Sequence, residues 1–352
     1  MKSGEGKPTI TDVARLAEVS MKTVSRVINK EPNVSEALRE RVTRAAALLG
    51  YQPNISARSL AGVRSFLIGF LFGDPGGDYT HRVEVGLLDR CRGAGYHLMV
   101  EQIDAKADDV AARTSALVSQ LRLDGVVLTA PITDHRDVLR VLDAARVPYV
   151  RIAPDVDSDV SPVVRIDDAR AVRELTAHLL GLGHRRIGFI KGNPAYNSSQ
   201  RRFNGYLAAL AEADMALDPA LVTQGLFNYR SGLDAAEQLL DQSQPPTAIF
   251  ACNDDMAAAV VAIAHGRGID IPGDLTVCGY DDTPLATTIW PELTTIHQPI
   301  SDMARTAVDL LVRELRQRPG APPEETAHVV LDYKLVRRQS DAAPRRRPRR
   351  GS

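Results

Sequence analysis

Two groups of polar side chains in this chain have types and spacing suited to recognition chemistry. The first lies on the amphipathic stretch Met21 to Asn29, whose apolar stripe is Val24, Val27 and Ile28. Off that stripe stand Met21, Lys22, Thr23, Ser25, Arg26 and Asn29. An Arg can bond two acceptors of a guanine, and hydroxyls and amides bond phosphates or base edges, so the set suits a reader of the DNA major groove. The second group stands where apolar runs end: Asp74, Tyr79, Thr129, Tyr196, Arg202, Asn253 and Asp281. Carboxylates, an amide and a guanidinium, with Tyr79, Tyr196 and Trp290 as stacking faces, suit a small polyhydroxyl ligand. Asp255 and Asp282 read instead as helix caps or lobe–lobe salt bridges.

The first group needs a helical frame. Thr9-Ile-Thr-Asp12 has the spacing of a capped helix start, and Val13, Leu16 and Ala17 follow on one face. After a break at Glu18-Val19-Ser20, Ser20 can cap the Met21 helix. Two short helices across a tight turn match the helix-turn-helix pattern. A third helix, capped by Ser35, carries Leu38, Val42, Ala45, Ala46 and Leu49 and stops at Gly50.

The second group needs strand ends. Phe66 to Phe72 is a continuous apolar run, as expected of a strand buried on both faces. Amphipathic segments (Val83–Ala94, 107–121, 138–145) then alternate with runs at His97–Val100, Gly125–Leu128 and Pro148–Ile152. The rhythm restarts at Val163-Val-Arg-Ile166, with further runs at 186–190, 221–223, 248–251 and 275–279. Such alternation predicts doubly wound parallel sheets, and two rhythms in succession predict two lobes around a cleft. In that architecture ligands bind beyond the carboxyl ends of the strands. Ile300 to Leu315 reads as a helix and Val329 to Leu335 as one edge strand.

Composition narrows the function classes. Of 352 residues 44% are hydrophobic, enough for a sizeable core, and the formal net charge is only −1. Residues 1–64 nonetheless hold eleven Lys/Arg against six Asp/Glu, a surplus where DNA contact is expected. Cys91, Cys252 and Cys278 show no metal or redox spacing, which fits a reducing cytoplasm. The N-terminus lacks the apolar core of a secretion signal, and no run is long enough to span a membrane. For an enzyme, Asp281 and Asp282 are adjacent carboxylates without a nucleophile–base–orienter set, a phosphate loop or a metal spacing. No cofactor is implied.

The motifs resemble one family over most of the chain. Thr9-Ile-Thr-Asp-Val-Ala14, Val19-Ser20, Thr23-Val-Ser-Arg-Val-Ile-Asn29, Gly50-Tyr-Gln-Pro-Asn54 and Ala57-Arg-Ser-Leu-Ala-Gly62 are similar to the lactose-repressor/galactose-repressor family of bacterial transcription regulators. The resemblance implies an α/β protein with a helix-turn-helix head at 1–50 and a hinge helix at 51–64. It also implies a two-lobed periplasmic-binding-protein-like domain at 65–338. Lobe 1 would take about 65–163 and 298–326, lobe 2 about 164–297 and 327–338, and residues 339–352 a basic disordered tail. In such a family the hinge segment, with Asn54, Ala57 and Leu60, orders on the operator, and Leu60 wedges into the minor groove. Arg202-Phe-Asn-Gly205, Cys252-Asn-Asp-Asp-Met256 and Gly279-Tyr-Asp-Asp282 resemble the family's effector words and imply roles for Arg202, Asn253 and Asp281. Glu18 departs from the family's usual turn Gly and implies strain if the backbone there is left-handed.

The expected protein is a cytoplasmic homodimeric repressor of carbohydrate genes that binds double-stranded palindromic operator DNA and lets go when a small sugar fills the cleft. A purine-like co-repressor is the alternative effector. A sugar receptor that never meets DNA is the competing class, and it would need an export signal and no head.

Overall fold

The computed structural model describes residues 8–28, 34–51, 64–73, 77–154, 160–317 and 326–345. The chain forms two compact units, Met1–Phe66 and Leu67–Ser352.

In the first unit, α1 (Ile10–Leu16) starts with a full capping box. Asp12 N donates to Thr9 Oγ1 at 3.4 Å, and Thr9 N to Asp12 Oδ2 at 2.9 Å. The next helix, α2 (Met21–Ile28), starts at Ser20, whose Oγ accepts from Thr23 N at 3.1 Å. Between them Glu18 has φ +50°, in the left-handed region. Helix α3 (Glu36–Leu49) follows Ser35, whose side chain makes no capping hydrogen bond, and ends at Gly50 with φ +61°. Val13, Ala14, Ala17, Val24, Val27, Val42 and Ala45 form the core. Each buried Val there contributes roughly 1.5–3 kcal/mol. Leu16, expected on the inner face, is 49% exposed.

The second unit holds two six-stranded sheets. The first uses β1 (Leu67–Phe72), β2 (His97–Gln102), β3 (Gly125–Leu128), β4 (Tyr149–Ile152), β5 (Val163–Ile166) and β11 (His328–Leu331), in the order β11-β5-β4-β3-β1-β2. The second uses β6 (Ile187–Lys191), β7 (Val222–Gln224), β8 (Ala248–Ala251), β9 (Thr276–Asp281), β10 (Thr294–His297) and β12 (Lys334–Val336), in the order β12-β10-β9-β8-β6-β7. All ladders are parallel except β10–β12. Both sheets bury apolar runs such as Ile68, Phe70 and Leu71 on β1 and Ile249 and Phe250 on β8.

Helices α4 (Gly77–Ala94), α5 (Val110–Leu121), α6 (Arg136–Ala145) and α12 (Ile300–Arg316) belong with the first sheet. Helices α7 (Asp168–Gly181), α8 (Asn197–Glu212), α9 (Tyr229–Leu240), α10 (Asp254–Gly266) and the short α11 (Leu285–Thr288) belong with the second. The chain crosses between sheets three times: from β5 into α7, from β10 into α12, and from β11 into β12. Among the described residues no helix is long and apolar enough to cross a membrane.

Three expectations need correction. Val163 to Ile166 does not open the second lobe; it pairs with β4 and β11 in the first sheet. The stretch Val329–Leu335 is not one strand, because Asp332-Tyr333 separates β11 on the first sheet from β12 on the second. Residues 339–345 are not a loose tail. Val277 N donates to Ser340 O at 2.9 Å, His178 Nε2 lies 2.8 Å from Asp341 Oδ2, and both Ser340 and Asp341 are buried. Residues 346–352 lie outside the described residues.

Candidate functional site

The first candidate surface is the outer side of α2. Met21 is 54% exposed and Lys22 is exposed, while Thr23, Ser25 and Arg26 are half-buried. Val24 and Val27 hold the opposite side in the core, so helical spacing alone fixes this presentation. Thr9 and Ser20 act as the caps described above, and Thr23 Oγ1 shares a 2.9 Å hydrogen bond with Ser20 Oγ. Asn29, Asn54, Ala57, Leu60 and Asp74 lie outside the described residues.

The second candidate site is a cleft of about 330 Å³ between the carboxyl ends of the two sheets. From the first lobe, α4 supplies Asp78 and Tyr79, and the ends of β3 and β4 supply Thr129 and Ala153. The helix starts at Gly77 rather than Val83, so Tyr79 is helical and not in a loop. From the second lobe come Tyr196, Arg202, Phe227, Asn253, Asp255 and Asp281. Asp168 and Gln298, at the first two crossovers, complete the floor. The structure therefore brings Tyr79, Thr129, Tyr196, Arg202, Asn253 and Asp281 to one cleft. Trp290, read as a possible stacking face, is 72% exposed and does not line it.

Arg202 is the hub. Gly205, one turn on along α8, lies so close to the Ala169 carbonyl that a Cβ would collide with it. This tight packing of α8 on α7 directs Arg202 onto the start of α7. Its Nε donates to Asp168 Oδ1 at 2.9 Å, its Nη1 to Cys252 O, and its Nη2 lies 3.9 Å from Asp281 Oδ1. The guanidinium also lies over the Tyr280 ring, 3.6 Å from its centroid. Burial works against the charge on Arg202, but Asp168, Tyr280 and Asp281 outweigh it and hold the group firmly protonated. Tyr280 Oη donates to the same Asp168 Oδ1 at 2.8 Å.

Asp281 ends β9 with φ +104°, and Asp282 follows with φ +53°. Two consecutive left-handed non-glycine residues are strained, and neighbouring bonds hold them. Gln298 Nε2 donates to Asp281 Oδ1 at 2.6 Å. Arg82 on α4 reaches the carbonyls of Asp281 and Asp282 at 3.3 and 3.1 Å. Asp282 accepts from Arg338 Nη2 at 2.6 Å and lies 2.9 Å from His297 Nδ1. Burial pushes the Asp281 carboxyl up to about 6, against the pull of Arg202 and Gln298.

Asn253 caps α10 through Met256 N at 3.0 Å and donates to Phe227 O at 2.9 Å. Phe227 stacks on Tyr196 with centroids 5.8 Å apart and 16° between planes, making an aromatic wall. Asp254, buried just behind, accepts from Thr283 N at 2.7 Å and from Thr295 Oγ1 at 2.7 Å, tying α10 to the end of β9 and to β10.

Sequence reading missed Asp168, Phe227 and Gln298. The strand-end rule would have found the first two, since they follow β5 and β7. Gln298 carries no such local signal.

Comparison with known proteins follows this division. Residues 9–54 match the model of bacterial regulatory proteins, lacI family, and residues 176–340 match the periplasmic binding protein-like domain. Catabolite control protein A of Priestia megaterium is 31% identical over 336 residues, covering 94% of this chain and 98% of that protein. The structure of the transcriptional regulator CelR–cellobiose complex is similar with a TM-score of 0.72 and 32% identity, over 95% of this chain and 99% of that one. A lac repressor dimer bound to operator and the anti-inducer ONPF gives a TM-score of 0.76 at 28% identity, over 96% of this chain and 100% of that one. With its head, two-lobed domain and full-length relatives all in agreement, this chain belongs to the lacI family of bacterial regulatory proteins.

Proposed function

We propose that this regulator acts in the cytoplasm as a homodimeric repressor of carbohydrate genes, reading a palindromic operator with α2 and releasing it when a sugar fills the cleft. Lys22, Thr23, Ser25 and Arg26 are the proposed groove-facing set, joined by Met21 and Asn29. Asn54, Ala57 and Leu60 are the proposed hinge contacts at the operator centre. Two heads on one dimer would sit on half-sites roughly one turn of DNA apart.

The observation that carries the effector reading is the position of the Arg202–Asp168–Asp281–Gln298 network. It lines the cleft and joins two of the three crossovers between lobes. A ligand bonding to this network changes the free energy of one lobe relative to the other, and it shifts the closed population only by its differential affinity. Polar groups beside the Phe227–Tyr196 wall suit the hydroxyls and apolar face of a sugar ring, and the volume is at the small end of ligand pockets. A relative of this chain is known in complex with cellobiose, which supports the same class.

A purine-type co-repressor is the second reading, favoured by aromatic side chains from both lobes, Tyr79 on one side and Phe227 on the other. The test is selection of genomic fragments by the purified protein, followed by titration of the enriched operator complex with sugars and with purines. Release by a sugar supports the inducer reading. Tightening by a purine replaces it with the co-repressor reading, and failure to enrich any fragment both without ligand and with candidate sugars and purines present overturns the regulator assignment of the head.

A further inference from the structure

We infer that the cleft selects an uncharged, hydroxyl-rich effector and rejects sugar phosphates and sugar acids, with Asp78 and Asp255 as the residues that set this choice. The inference rests on the effector reading above.

Four carboxylates line the cleft, Asp78, Asp168, Asp255 and Asp281, against one lining guanidinium, Arg202. That guanidinium is already engaged by Asp168, the Cys252 carbonyl and Asp281. Any phosphate or carboxylate entering would meet uncompensated negative charge in a partly desolvated space, where such repulsion is strong.

Asp78 and Asp255 matter most because of where they sit. Asp78 lies in the first turn of α4 in the first lobe, and Asp255 in the first turn of α10 in the second. Helix amino ends favour anions, and in an empty state each would be a natural cradle for one. Here the chain's own carboxylates take that field at both ends. Asp255 reaches the start of α4, next to Asp78: a Cβ on Gly77 would lie 3.8 Å from Asp255 Oδ2. Burial, then the Asp78 charge, raises the Asp255 carboxyl above its ordinary range.

One oxygen of the pair also lacks a donor. Asp78 Oδ2 is buried without a hydrogen-bond partner, and Arg82 Nη1, 3.9 Å away, is directed at the Asp281 and Asp282 carbonyls. A hydroxyl group of a neutral ligand would supply the missing donor to Asp78, and a second hydroxyl donating to Asp255 would draw the two lobes together. Of the other helix starts on the cleft, α7 adds the Asp168 carboxylate, and the first turns of α8 and α9 present Asn197, Ser198 and Asn228, which can bond a neutral ligand.

The experiment is calorimetry on the full-length protein with matched pairs: glucose and glucose 6-phosphate, galactose and galacturonate, ribose and ribose 5-phosphate, cellobiose and cellobionate. Wild type, Asp255→Asn and the Asp78→Asn/Asp255→Asn double variant are compared, with thermal unfolding confirming that each is folded. At least one neutral sugar should bind, and its anionic partner should bind at least about tenfold more weakly. In the double variant that gap should narrow to within about threefold, with Asp255→Asn in between. An anionic member binding wild type as tightly as its neutral partner overturns the inference, and so does a gap unchanged in both variants. If neither member of any pair binds, the sugar reading itself falls and takes this inference with it.

Discussion

The Nε of Arg202 lies 2.9 Å from Oδ1 of Asp168, the first residue of α7, where the chain first passes from one sheet to the other. Both side chains are buried, so this is a desolvated ion pair whose partners depend on each other. Asp168→Ala would leave the guanidinium with the Cys252 carbonyl, the Tyr280 ring face and a carboxylate 3.9 Å away. We expect it to destabilise the protein by about 3 kcal/mol, at the lower end for a broken buried pair because Asp281 remains. Arg202→Ala should cost a similar amount, and the double variant clearly less than the sum of the two. Urea unfolding of the full chain measures the cycle; simple additivity would show that the pair is not coupled. Both single variants should also lose the effector response.

A second expectation concerns pH. Burial, and then the Asp281 charge, push the Asp254 carboxyl up to about 8, against hydrogen bonds from Thr283 and Thr295 that pull it down. The native state therefore keeps a proton that the unfolded chain releases around its ordinary value of 3.8. Between these values the native state binds more protons, so this group's contribution to stability declines as pH rises through the window. Asp254→Asn retains an acceptor for Thr283 N–H but cannot ionise. Its midpoint in urea should fall less than that of wild type between pH 5 and pH 8, roughly the span of the shift. Parallel declines in the two proteins would mean that Asp254 does not hold its proton.

The head was legible in the sequence because its signals are local. The Thr9–Asp12 box, the Ser20 cap and the Val24/Val27 stripe each act within one or two turns, and each appears where the spacing placed it. Apolar runs likewise revealed the buried strands. Sheet membership was not legible, because period reveals burial and not partner. Val163–Ile166 has the same pattern whether it joins β4 or starts a new sheet, and only the ladder decides. The Val329–Leu335 run hides a crossover, since Asp332-Tyr333 interrupts pairing without interrupting alternation. Gln298 was missed for the same reason: its role comes from reaching Asp281 seventeen residues away, a relation made by topology. The Gln339–Asp341 segment looked like the start of a charged tail, yet Ser340 completes a backbone bond to β9 and Asp341 meets His178.

A third expectation follows from the turn between α1 and α2. Glu18 adopts φ +50°, where a Cβ crowds the following carbonyl. Its carbonyl accepts from Arg41 Nη2 at 3.4 Å, a bond that a glycine can keep. Glu18→Gly should therefore stabilise the head by up to about 1 kcal/mol. Hydrogen exchange of α1 and α2 amides in the full chain reads this directly, as slower exchange. Faster exchange would show that the gain in backbone freedom of the unfolded state outweighs the relieved strain.

The last expectation separates specific from non-specific DNA binding. Arg26 lies on the half-buried outer flank of α2, one residue before Val27 of the core, so its backbone position is fixed by packing on α1 and α3. A guanidinium held there can bond two acceptors on a guanine edge, worth roughly 1–3 kcal/mol of discrimination. Arg26→Ala should therefore weaken binding to the selected operator by about one to two orders of magnitude. Binding to unrelated DNA, which depends on summed phosphate contacts, should change little and should remain strongly salt-dependent. Fluorescence anisotropy with operator and scrambled duplexes at two salt concentrations makes the comparison. A loss shared equally by both duplexes would make Arg26 a phosphate contact, and the reading of bases would then fall to its neighbours Lys22, Thr23 and Ser25.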